Sequence, residues 1–275
     1  MKNIIITGCT SGLGLAIAKK LANSANLFLV SRDLKKLNEL KDSLENNKNH
    51  SIYSVDLSNT KLSKKIIYEA NKQFDEKIDV LINNAGMYGP VGPLDSCPDE
   101  IWEKNIKLNL ITPALLIKYT LPIMKKNNFG RIINISGGGA VKPMSTLTAY
   151  CASKSGLVRL TETIAHEIKD YENITINAIA PGFLATKFHD EVINSQTANK
   201  ELHKITIEKI QNGGDDPNRT VNLIENLIDI NSKINGKLIS SIFDNLEKLN
   251  KKKLTTETNF FTLRRIDDFF VYEKE

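Results

Sequence analysis

Tyr150 and Lys154 stand four residues apart in Thr148-Ala149-Tyr150-Cys151-Ala152-Ser153-Lys154. The pattern around them predicts a helix, so the two side chains share one face. A phenol beside an ammonium is suited to proton transfer, because the cation favours the phenolate and draws its pKa down toward working pH. An ordinary surface pair has the same spacing, so the chemistry has to be supported elsewhere. Thr7-Gly8-Cys9-Thr10-Ser11-Gly12-Leu13-Gly14 follows an apolar run and opens a helical pattern. Glycines in such a turn let backbone N–H groups close on a pyrophosphate, and the helix start adds a positive dipole. Val30-Ser31-Arg32 ends the second apolar run without a carboxylate. Dinucleotide sites hold a ribose 2′-hydroxyl with an acidic residue here and a 2′-phosphate with Arg, so Arg32 predicts NADP (NADPH) in preference to NAD. Asp33 reads as the N-cap of the next helix.

Holding these groups together requires a scaffold. Runs rich in Ile, Val and Leu at 3–7, 26–31, 51–56, 78–83, 131–136, 175–180 and 237–240 alternate with helical patterns such as 13–23, 34–46 and 58–74. Apolar runs without polar alternation mark parallel strands covered on both faces, and the βαβ rhythm predicts a doubly wound α/β sheet. Two stretches break the rhythm. Residues 183–216 are polar and helix-like and follow the sixth run, where ligands bind in open sheets, so they form a candidate substrate lid. The chain after 242 mixes Lys251-Lys252-Lys253 with Phe260, Phe261, Phe269, Phe270 and Tyr272. That makes 1–242 the catalytic domain and 243–275 an extension predicted to pack on it or on a neighbouring subunit.

The composition narrows the function classes. A 275-residue chain buries about three quarters of its unfolded surface, and 41% hydrophobic with 25% charged residues excludes wholesale disorder. No apolar run approaches the roughly 20 residues of a membrane span, and the structured start Asn3-Ile4-Ile5-Ile6 leaves no signal peptide; a cytoplasmic protein is expected. The net charge of +5 comes from scattered Lys, with only six Arg among 37 basic residues, which reads as a solvated surface and not a nucleic-acid face. Cys9, Cys97 and Cys151 have no CxxC spacing and read as free thiols. His50, His166, His189 and His203 have no metal-ligand spacing, so no metal is expected.

Four motifs share one order: 7–14, Asn83-Asn84-Ala85-Gly86, Tyr150 to Lys154, and Pro181-Gly182. In this order and spacing the chain, over about residues 1–242, resembles the short-chain dehydrogenase/reductases. The resemblance implies a single-domain Rossmann-type fold, a seven-stranded parallel sheet in a three-layer αβα sandwich. It implies Tyr150 as the catalytic acid/base and Lys154 as the residue that lowers its pKa and holds the nicotinamide ribose. Asn109, in Lys107-Leu108-Asn109-Leu110, matches the Asn that supports a proton-relay water. The implied cofactor set is Gly8, Thr10, Ser11, Gly12, Leu13 and Gly14; Arg32; Asp56 and Leu57 beside the adenine; Asn84, Ala85 and Gly86; Tyr150 and Lys154 themselves; and Pro181, Gly182, Leu184 and Thr186 toward the nicotinamide. It also implies a homodimer or homotetramer, with apolar stripes Ile101, Leu108, Leu115 and Leu160, Ile164, Ile168 on the helices that would pair.

The chain departs from the family in one register. The family's catalytic Ser lies thirteen residues before the Tyr, and that position here is Gly137, with Ser136 one place earlier. Adjacent strand residues point to opposite faces, so Ser136 serves as the catalytic Ser only where the strand end bulges or turns. Ser145 and Thr148 are other hydroxyls within reach. The expected function is an NADP(H)-dependent oxidoreductase interconverting a carbonyl and an alcohol, on a sugar-derived, acyl-thioester or small-ketone substrate. The alternative is a non-catalytic NADP-binding sensor or scaffold on the same fold, motivated by the displaced Ser.

Overall fold

The computed structural model describes residues 1–245 and 261–263. Its strands are β1 (Lys2–Thr7), β2 (Ala25–Ser31), β3 (Ser51–Ser54), β4 (Val80–Asn83), β5 (Gly130–Ile135), β6 (Ile174–Ala180) and β7 (Leu238–Ser240). Helices α1 (Gly12–Leu21), α2 (Leu34–Ser43), α3 (Ser63–Gln73), α4 (Asp99–Ile106), α5 (Thr112–Lys126), α6 (Thr148–Glu167), α7 (Asp190–Ile193), α8 (Lys200–Gln211) and α9 (Pro217–Ile228) connect them. All seven strands pair in parallel in the order β3-β2-β1-β4-β5-β6-β7, the doubly wound arrangement expected from the seven apolar runs.

The central strands explain why the runs are unbroken. Ile4 and Ile6 of β1 pack with Ile17 of α1, Leu37 of α2 and Ile224 of α9, whereas Ile5 packs on the other face with Ile66 of α3 and Leu116 of α5. Both faces are dry, so polar alternation has nowhere to occur. Burying one such Ile stabilises the fold by about 1.5–3 kcal/mol. The order reverses between β1 and β4, and the crevice outside that switch point is where open α/β sheets bind ligands.

Helices α4 and α5 join through a π-helical segment, Lys107–Ile111, into one run Asp99–Lys126. By length and composition this run is apolar enough to cross a bilayer, contrary to the reading that no stretch reaches that size. One face of it nevertheless serves the core: Leu116, Ile117 and Met124 pack under the sheet with Ile132 and Ile176. Of the two apolar stripes, Ile164 and Ile168 are buried, Leu108, Leu115 and Leu160 are half-buried, and Ile101 is exposed.

Residues 183–216 fold as α7, α8 and a 3-10 turn at Lys187–His189, closed at their base by a bridge between Leu184 and Gly214. Phe183 N–H donates to Asp215 Oδ2 and the Asp215 N–H donates back to the Phe183 carbonyl, both at 2.7 Å. Of the extension, residues 261–263 lie on the domain. Leu238 N–H of β7 donates to Phe261 O at 2.7 Å, and Leu263 is held by Arg159 and Glu162 at 2.6 Å each. Lys251, Lys252, Lys253, Phe260, Phe269, Phe270 and Tyr272 lie outside the described residues.

Candidate active site

The carboxyl ends of β1, β2, β4, β5 and β6 open into one cleft of about 1050 Å³. At its floor, Gly8 turns the chain out of β1 with φ +66°, and a Cβ there would sit 2.8 Å from the Ala85 Cα. Gly14 packs behind the turn, where a Cβ would fall 2.2 Å from the Gly8 carbonyl oxygen. Only glycine fits these two positions. Asn84 braces the turn by donating from Nδ2 to the Thr7 and Gly8 carbonyls, both at 3.0 Å. Thr7 Oγ1 accepts from the N–H groups of Asn84 and Ala85 at 3.0 and 3.1 Å. Ser11 stands at the N-cap of α1 but makes no capping bond with its side chain, so the first turn of the helix keeps its N–H groups for a ligand. Every residue of the expected cofactor set except Gly14 lines this cleft.

At the end of β2, Ser31 Oγ and Thr10 Oγ1 share a hydrogen bond of 2.9 Å. Asp33 is taken up as the N-cap of α2, its Oδ1 accepting from Lys36 N–H at 3.1 Å, and this bond holds its carboxyl below the usual range. Arg32 and Lys36 line the cleft beside it. Burial works to raise the Asp56 carboxyl, but hydrogen bonds from Ser58 and the charges of Lys104 and Arg32 outweigh it and leave the group below its ordinary value.

Helix α6 carries Tyr150 and Lys154, both buried against the strand ends. Lys154 Nζ donates to the Ile135 carbonyl at 2.8 Å and lies 5.9 Å from the centre of the Tyr150 ring. The expected lowering of the Tyr150 pKa is absent here. Burial, with Tyr88 and Cys151 beside it, pushes the phenol well above its usual value, and the same burial pulls the Lys154 amine down to about 8. Burial is what moves both groups. The Lys154 shift has a measurable consequence. Above pH 8 the folded chain has released a proton that the unfolded chain still holds, so stability rises with pH. From pH 9 the buried Cys9 thiol, raised to about 12, works the other way. Between pH 8 and 9 the wild type should gain roughly 1 kcal/mol over Lys154→Met, read from denaturant unfolding at each pH. Parallel curves for the two proteins would contradict this.

Asn109 sits inside the π-helical segment, a distortion that turns its side chain inward. Its Oδ1 accepts from Met87 N–H at 3.0 Å, and its Nδ2 donates to the Met87 carbonyl at 2.9 Å and to Ser153 Oγ at 3.2 Å. It does not line the cleft; it fixes the strand-end segment that does.

Ser136 lies at the end of β5 and lines the cleft with Ile135 and Gly137. Its N–H continues the ladder to the Ile179 carbonyl at 2.7 Å, so the strand end neither bulges nor turns there. Its Oγ is buried without a hydrogen-bond partner among the described residues. Position 137 is the one that faces the phenol: a Cβ on Gly137 would lie 2.1 Å from Tyr150 Oη. Ser145 is exposed and away from the cleft, and Thr148 Oγ1 accepts from Trp102 Nε1 at 3.3 Å.

The sequence reading missed the aromatic wall. The Tyr88 ring lies 4.7 Å from that of Tyr150 and 4.4 Å from that of Phe188, and His189 stacks on Phe183 at 3.8 Å. Tyr88 follows Asn83-Asn84-Ala85-Gly86 by two positions, which was the available signal.

A family model described as short chain dehydrogenase matches residues 2–197. The chain belongs to this family. This short-chain dehydrogenase/reductase is 32% identical over 205 residues to the short chain dehydrogenase ausX of Penicillium brasilianum, spanning 74% of this chain and 77% of that protein. Among solved structures it resembles ElxO with NADP bound at 27% identity and TM-score 0.74, over 87% of this chain and 96% of that one. It shares its fold with a NAD⁺-bound xylitol dehydrogenase at 23% identity and TM-score 0.78, over 87% and 96% of the two chains. The chain is thus an oxidoreductase by family.

Proposed function

We propose that this dehydrogenase uses NADP(H) to interconvert a carbonyl and an alcohol, with Tyr150 as the proton donor and acceptor. The observation that carries the reading is that Tyr150 and Lys154 open into the same cleft as the glycine turn and Arg32. The residues fit a dinucleotide: the turn leaves backbone and the start of α1 bare for a pyrophosphate, and Arg32 and Lys36 offer cations where a 2′-phosphate would sit. When bound, the nicotinamide supplies or accepts the hydride. Tyr150 holds the exchangeable proton at Oη, and its raised pKa keeps the phenol protonated at neutral pH, which suits donation to a substrate oxygen. Lys154 holds the floor through the Ile135 carbonyl, and Asn109 fixes Met87. The apolar wall of Tyr88, Phe188, Met144 and Val141 favours an apolar substrate body.

NADPH oxidation against cyclic ketones, 9,10-phenanthrenequinone, keto sugars and 3-oxoacyl thioesters tests the activity. Arg32→Ala should weaken NADPH binding by about 1.5–3 kcal/mol while leaving NADH binding nearly unchanged. Equal wild-type affinity for NADH and NADPH in titrations would refute the cofactor assignment.

A further inference from the structure

We infer that Tyr88 supplies the second hydroxyl contact to the substrate oxygen, in the role left vacant by the absence of a side chain at position 137. The inference rests on the carbonyl/alcohol reading above and adds a residue to it.

A Tyr hydroxyl buried in a protein normally finds a hydrogen-bond partner. Tyr88 is 8% exposed and Tyr150 5% exposed, and their rings are tilted at 58° with centres 4.7 Å apart. Both line the cleft. Neither phenolic oxygen is among the buried atoms left without a partner in the described residues, which include Ser136 Oγ of the same cleft. Two neighbouring phenols that open into one cavity can both donate to an acceptor placed there. A substrate carbonyl oxygen is such an acceptor, and it becomes a better one as negative charge builds on it.

Of the neighbouring hydroxyls, Ser136 lines the cleft with its Oγ unpartnered and is the rival for this role, while the others are placed for other work. Ser153 Oγ donates to Asn105 Oδ1 at 2.9 Å, Thr148 is engaged by Trp102, and Ser145 is off the cleft. Tyr88, by contrast, is held firmly. Asn105 Nδ2 donates to its carbonyl at 2.9 Å, Gly89 N–H is anchored on Glu191 Oε2, and Phe188 and His189 pack on the ring. A donor fixed in advance stabilises charge without reorganising at the moment of reaction. Tyr88 gives up no proton; it donates a hydrogen bond while Tyr150 exchanges the proton. Burial and the nearby Glu191 raise the Tyr88 pKa, which keeps its proton in place.

Tyr88→Phe removes the hydroxyl and keeps the ring. With NADPH and 9,10-phenanthrenequinone, or the panel ketone turned over fastest, kcat should fall about 10²–10³-fold. The NADPH Kd and the thermal unfolding midpoint, which report the fold, should be unchanged. Tyr88→Leu should be impaired in kcat to a similar degree, because the loss is of the hydroxyl. A Tyr88→Phe enzyme within twofold of wild type overturns the inference, as does a change confined to KM, or an active Tyr88→Phe beside an inactive Tyr88→Leu, which would mean packing alone. A kcat loss carried by Ser136→Ala while Tyr88→Phe stays active gives the role to Ser136 and overturns it too. A wild type inert toward every panel carbonyl fails the function reading and takes this inference with it. An active wild type with an unimpaired Tyr88→Phe fails the inference alone.

Discussion

Replacing Tyr150 with Phe is expected to lower kcat by about 10²–10⁴-fold while NADPH still binds. The substitution keeps the ring, and the ring is what packs: Tyr88 at 4.7 Å, Phe188 at 6.4 Å and the glycines of the β5–α6 turn all contact the aromatic body. Only Oη leaves, and with it the proton that a reduced carbonyl oxygen needs. A kcat loss with unchanged cofactor affinity separates a chemical role from a structural one. The pH dependence adds a second check. Because burial raises the phenol, the reductive rate should stay flat through neutral pH. A wild type that binds NADPH and turns over no carbonyl would instead support a sensor or scaffold on this fold.

The strands were legible because the sheet is covered on both sides. Where Ile4, Ile5 and Ile6 must all be dry, the sequence has no freedom to alternate, and the seven runs appear directly. The glycine turn was legible for a similar reason, since Gly8 and Gly14 are fixed by close backbone approaches that admit no other residue. Asp33 was read correctly as a cap because capping is a local interaction. The direction of the Tyr150 shift was not legible. Spacing on a helix reveals the ammonium four residues away but not the desolvation, which depends on Tyr88 and Cys151 closing around the phenol. Tyr88 itself escaped notice for the same reason: its contacts with Tyr150 and Phe188 span sequence separations of 62 and 100 residues, the differences 150 − 88 and 188 − 88. The length of the α4–α5 run escaped a search for continuous apolar residues, because Lys104, Lys107 and Lys118 interrupt the run without breaking the helix.

Restoring the family's serine should inactivate this enzyme and not improve it. Gly137 has φ 170° and ψ 176°, an extended backbone open to any residue, so Gly137→Ser carries no conformational penalty of its own. The obstacle is the phenol. A Cβ at position 137 would lie 2.1 Å from Tyr150 Oη, and one at position 139 would lie 2.9 Å from the ring, so the glycines form the bed in which Tyr150 rests. A side chain at 137 must therefore push the reacting oxygen aside, and a displacement of about 1 Å at a reacting group can cost about 10²-fold in rate. Overpacking adds about 1–3 kcal/mol of destabilisation. Gly137→Ala and Gly137→Ser should consequently fall together, each by about 10²-fold in kcat, since the clash comes from the shared Cβ and not from the hydroxyl. NADPH titration and thermal unfolding would show that the remainder of the site survives. A Gly137→Ser enzyme faster than wild type would mean that the phenol gives way easily and that the serine's hydroxyl was the missing group; Tyr88 would then be left with packing alone.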